Sequence, residues 1–146
     1  MPTQLGPEYS PLWRGKYPHM LEEDIPIWDK FLLQNLELFE RIYYDVRVGG
    51  IYPGPEYGDE KMRRMYYEVT AKRIDALAEL KDQVWIVEVA VRPGLRATGQ
   101  LMTYLALWMK DPKILKPTYA VLVTQTIDAD LEEALKTYGM LVRYAI

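Results

Sequence analysis

The sequence predicts an α/β domain in which one mixed sheet is flanked by helices. Three observations carry this. Two near-continuous apolar runs of strand length, "VWIVEVAV" and "TYAVLVTQTI", suit strands buried on both faces. Runs with helical spacing alternate with them. The short turn "KDQ" separates two strand-like segments and reads as a hairpin. The expected element order is α-β-β-β-α-β-α-β.

Residues 1–23 carry four prolines and no period, and read as an irregular arm. An arm of this kind is expected to pack on its own domain, on a second copy or on a partner. The domain follows over residues 24–146. A first helix is expected from Ile25 to Tyr43, with Asp24 as N-cap and Pro26 in the first turn, where its missing N–H costs little. Trp28, Phe31, Leu32, Leu36, Phe39 and Ile42 recur at helical spacing as its buried stripe. "YYDVRV" reads as a strand, and "GGIYPGPEYGDE", with four Gly and two Pro, as a loop. "KMRRMYYEV" has mixed signals and leads into the long strand "VTAKRIDALAEL".

After the hairpin turn and the strand "VWIVEVAV", "RPGL" opens a second helix over about Gly94 to Met109. Leu95, Thr98, Leu101, Met102, Leu105 and Trp108 are expected to line one side of it. "DPKILKP" breaks that helix, and the strand "TYAVLVTQTI" follows. "DADLEEALKTYG" is a short helix with acids at its start and Gly139 at its end. "MLVRYAI" is a closing strand.

Composition narrows the chemistry. The chain of 146 residues is 49% apolar, as a globular domain is. With no Cys, disulfides and thiolate metal sites are excluded. With His19 as the one histidine, so is a histidine cluster. Any resident metal would therefore be a hard ion such as Mg²⁺ or Mn²⁺ on carboxylates. A net charge of −3 argues neither for nor against nucleic acid. Neither a signal peptide nor an apolar run long enough to span a bilayer is visible, so an intracellular protein without a membrane is expected.

One pair stands out. Asp75 lies seven residues before Asp82 and Glu88 six after it, so a hairpin about "KDQ" brings them close to facing each other. Two such carboxylates repel and resist desolvation. A divalent cation relieves both penalties and can polarise a phosphate. The alternative is that Asp75 pairs with Arg73 or Arg92. Gln100 and Tyr104 share a face of the helix that follows, whose N-terminus could receive a phosphate. Lys61, Arg63, Arg64, Lys72, Arg73, Arg92 and Arg96, with Tyr66 and Tyr67 among them, could track a DNA backbone.

Asp in "RIDAL", Glu in "IVEVA" and a helix bearing "GQLMTYL" resemble the PD-(D/E)xK nuclease superfamily, which includes RecB-like and restriction-type enzymes. The resemblance spans residues 25–146. The run "RIDALAELKDQVWIVEVAVRPGLRATGQLMTY" is similar to small proteins of tailed-phage genomes, where the second strand tends to read E-V-K. It implies a restriction-endonuclease-like core and Mg²⁺ or Mn²⁺ on Asp75, Glu88 and the Val89 carbonyl. An acid of the first helix, Glu37 or Glu40, would assist. Gln100 would support the site, and Arg73, Arg92, Arg96 and Tyr104 would contact DNA. Ile74 stands in place of the name-giving proline, and Ala90 in place of the lysine.

That lysine orients the attacking water and stabilises developing negative charge, and a methyl group does neither. Its loss corresponds to roughly 10²-fold to 10⁴-fold in rate. Two functions follow. One is a phage-type nuclease-fold protein, catalytically silent as written, acting in DNA handling or as a structural virion component at the head, neck or tail. The other is an active Mg²⁺- or Mn²⁺-dependent DNA endo- or exonuclease in which Arg92 or Arg96 replaces the lysine. DNA, further copies of the chain and phage structural proteins bound through the arm are the expected partners. Host cytoplasm or the virion is the expected location.

Overall fold

The computed structural model describes residues 3–146, so Met1 and Pro2 of the arm lie outside the described residues. The elements are β1 (Glu8–Tyr9), α1 (Ile25–Gln34), β2 (Arg41–Gly49), α2 (Glu60–Thr70), β3 (Ala71–Glu79), β4 (Val84–Val89), α3 (Leu95–Lys110), β5 (Thr118–Thr124), α4 (Ala129–Thr137) and β6 (Leu141–Tyr144). The expected order is present, with β1 and α2 added to it.

The six strands form one mixed sheet in chain order. The pairs β1–β2, β2–β3 and β3–β4 are antiparallel. β5 and β6 are parallel to β4, each entered from a helix, α3 or α4. α1 packs on one face with Ile42, Tyr44, Ala76, Ala78, Val87 and Val89. α3 and α4 cover the other, against Val46, Val48, Ile74, Leu77, Ile86 and Leu122. No helix among the described residues is long and apolar enough to cross a membrane.

Four expectations need correction. α1 ends at Gln34, not Tyr43. Phe39 and Ile42 are buried, but Phe39 sits in the following turn and Ile42 already belongs to β2. The segment with mixed signals is a helix, α2, because the Asp59 side chain accepts from the Met62 N–H and caps it. On α3 the buried residues are Ala97, Leu101 and Trp108, while Leu95 and Met102 point outward. The arm is not wholly irregular: β1 pairs with β2, and Gln4 bridges to Arg47. The arm packs on its own domain, with Tyr17 and Met20 buried in the α1-side core.

β2 and β3 exchange faces midway. Ile42 and Tyr44 lie on the α1 side, but Val46 and Val48 lie on the α3 side. On β3 the switch falls between Ile74 and Ala76. The ladder pairs Tyr44 with Ala76 and Val46 with Ile74 and skips Asp45 and Asp75 between them. Asp45 takes a left-handed backbone, φ 53°, which aspartate tolerates better than most residues. Arg73 locks it with a two-pronged salt bridge of 2.7 and 2.8 Å. Asp75 therefore sits at a kink rather than in a regular strand.

Candidate functional site

The β3–β4 hairpin pairs Ala76 with Val87 and Leu77 with Ile86. Continued by one residue, that register sets Asp75 opposite Glu88. Their carboxyls lie within hydrogen-bond reach of each other. Asp75 is 9% exposed, and one Glu88 oxygen, Oε2, is buried without a hydrogen-bond partner. Burial, then the charge of Asp24, pushes Asp75 up to about 7, with the Val89 N–H opposing. Burial, then the charge of Asp75, pushes Glu88 up to about 8, with Arg96 opposing. A pair of this kind holds a proton between its members at neutral pH.

Asp24, expected as the N-cap of α1, is the third carboxyl. It makes no side-chain cap bond to α1, and its backbone is already helical at φ −88°, ψ −22°. Its carboxyl faces the Val91 N–H instead, beyond the end of β4. Burial, then Glu23, raises it to about 6. Glu37 and Glu40 lie after the end of α1 rather than on it. Glu40 is bound to Lys116 and Arg41.

Asp24 and Glu88 line a groove of about 920 Å³, and Asp75 lies beside Glu88 just off it. One wall is Leu21 and Glu23 of the arm with Asp24 at the start of the domain, and the other runs from Arg92 through Gln100. Val89 and Ala90 line it as well, and Arg92 and Arg96 are the cations on its walls among the described residues. Arg92 was expected on the same strand face as Glu88. β4 ends at Val89, and Arg92 lies exposed in the bend before α3. The Ala90 N–H bonds to the Val123 carbonyl, and its methyl packs with the α3-side core. Tyr104 is half-buried near both acids, and burial, then Glu88 and Asp75, raises it to about 12.

Arg73 pairs with Asp45 rather than Asp75. Arg63 and Arg64 are held on or near α2: Arg63 binds the Pro53 carbonyl and lies over Tyr52, and Arg64 reaches Gln4 and Glu68. Of the expected residues, Glu88, Val89, Ala90, Arg92, Arg96 and Gln100 line the groove, and Asp75 and Tyr104 lie beside Glu88 without lining it. Arg73 and the α2 cations lie off the groove walls.

Among the described residues, no three acidic or histidine side chains stand as a ready-made metal cage. The donor chemistry nevertheless fits a hard cation. Two facing carboxyls are each costly as free anions, and an oxygen of one is without a partner. Comparison with protein-family models, with curated proteins and with solved structures found no match.

Proposed function

We propose that this chain is a DNA-handling protein on a metal-dependent nuclease scaffold of the PD-(D/E)xK type, and that it is hydrolytically silent as written. The observation that carries the reading is the buried, facing pair Asp75 and Glu88 at the end of a groove with Arg92 and Arg96 on its wall. Asp75 and Glu88 would hold Mg²⁺ or Mn²⁺, with Asp24 close enough to add charge. A bound ion of this type supplies Lewis-acid polarisation of a phosphate oxygen and a more acidic water. Arg96 and the first N–H groups of α3 would receive a phosphate. Ala90 offers no ammonium to orient water or to neutralise developing charge, and that omission is the reason for silence.

A second reading is favoured by one observation, that the charge of Arg96, on the same groove wall, favours the ionised form of Glu88. Arg96 would then stabilise the developing charge in an active nuclease, though arginine cannot remove a proton from water at neutral pH. Plasmid and linear DNA incubated with Mn²⁺ separate the two. The silent scaffold predicts no cleavage by the wild-type chain and cleavage gained by Ala90→Lys. Wild-type cleavage that vanishes in Asp75→Ala and Arg96→Ala establishes the second reading. An inert Ala90→Lys protein without Mn²⁺ binding refutes both.

A further inference from the structure

Helix α3 has a second face that its own fold does not use. Ala97, Leu101 and Trp108 are buried against the sheet. About half a turn around the axis, Leu95, Gly99, Met102, Ala106 and Met109 all lie exposed. Leu95 is 86% exposed, Met102 46% and Met109 59%. Their spacing is four, three, four, three, the step of a seam that packs against another helix. Large and small residues alternate along it, and none is charged. Single exposed apolar residues are ordinary on a protein surface. Five at seam spacing along one 16-residue helix are not single.

Gly99 supplies an independent observation. A Cβ built on it meets nothing within 4 Å. The fold therefore has no steric need for glycine there, although glycine inside a helix weakens it. Small residues on a seam let a second backbone come close.

The occupant follows from charge and size. Arg96 and Lys110 lie on one flank of the seam, two heptads apart, and α3 carries no acid. An antiparallel second copy would set Arg96 against Lys110 twice, and a parallel copy would leave both unpaired. The strip is one helix wide and about 21 Å long. That is well short of the ~800 Å² each partner contributes to a stable dimer. We propose that the outward face of α3 docks a single amphipathic helix of another protein, apolar along its seam and acidic on its flanks. This inference shares Leu95 and Arg96 with the groove but requires neither a metal nor cleavage.

Two labelled synthetic helices test it against the full chain by fluorescence anisotropy. Both carry the same Leu/Ala seam, one with glutamates on its flanks and one with lysines. The glutamate peptide is expected to bind at least tenfold more tightly. Met102→Glu should weaken it at least tenfold while circular dichroism stays unchanged, and Lys110→Glu should narrow the preference. Gly99→Ala should raise the thermal midpoint of the free chain yet weaken the peptide. No binding of either peptide, equal binding of both, or an unaffected Met102→Glu protein overturns the proposal. So does a mass that doubles by light scattering and returns to monomer in Met102→Glu, which assigns the seam to a second copy.

Discussion

Burying two facing carboxyls makes the chain less stable as pH rises, and neutralising them should remove that loss. In the unfolded chain Asp75 and Glu88 ionise near 3.8 and 4.5; in the folded chain they hold their protons to about 7 and about 8. Between those limits the folded state binds more protons than the unfolded state. Unfolding free energy therefore falls as pH rises. The contribution is complete below the unfolded values and is lost as pH passes the folded ones. Moving a carboxyl from 3.8 to about 7 corresponds to about 4 kcal/mol, at about 1.4 kcal/mol per tenfold. Asp75 is 9% exposed, so solvent screens little of this. Glu88 adds less than a second such amount, because each charge is part of the other's cost. Urea unfolding in EDTA, from about pH 5 to about pH 8.5, should show a wild-type loss on the order of 4 kcal/mol. The double variant Asp75→Asn, Glu88→Gln should retain only the smaller slope from Asp24, and should be the more stable protein at the alkaline end. Equal slopes in the two proteins, or a flat wild-type profile, would refute the reasoning.

Mn²⁺ at about a hundred times its dissociation constant should stabilise the wild-type chain by about 2.7 kcal/mol. The effect should be absent in the double variant and is read as a shift in thermal midpoint. Glu79 is buried and accepts from both Arg41 and Lys116, at 2.8 and 2.7 Å. Burial would raise its carboxyl, but the bonds from Lys116 and Arg41 outweigh that and hold it below the ordinary value. Glu79→Ala should cost about 2–3 kcal/mol in urea unfolding at neutral pH. The loss should shrink as acid protonates the wild-type carboxyl, and a pH-independent difference would sink the ion-pair account. Gly50 has φ +78° and a built Cβ would lie 3.0 Å from the Ala71 backbone. Gly50→Ala should therefore destabilise by more than about 1 kcal/mol, whereas Gly99→Ala should stabilise by about 0.5–1 kcal/mol. The same sign for both would show that one of the two glycines is misread.

The hairpin and its facing acids were legible in the sequence because both follow from local rules: strand period, turn position and residue count. The long first helix was misjudged where two periods overlap. Ile42 satisfies the helical series from Trp28 and also starts the alternation Ile42, Tyr44, Val46, Val48. The β2 series won because it pairs with β3 along its whole length. Asp24 was invisible as a site residue because its partner, the Val91 N–H, is 67 positions away, and local chemistry offered it a capping role. The kink at Asp45 was equally hidden, since it takes a left-handed aspartate and an arginine from the neighbouring strand to make it. The seam on α3 shows the opposite failure. Its apolar spacing was visible, but periodicity alone cannot tell a face buried in the fold from one turned outward.

Strand order in the sheet equals strand order in the chain. Every ladder closes a loop between consecutive strands, so no strand waits for a distant one before it can pair. Such a sheet can grow by accretion from the β3–β4 hairpin outward. The exceptions lie at the ends: the Thr3 N–H bonds to Asp111, and the Gln34 side chain holds the backbone of Ile146. The first clasp needs α3 in place, and the second can form only after the last strand. An emerging chain would therefore carry a nearly finished sheet before the end of α1 is tied to the C-terminal backbone.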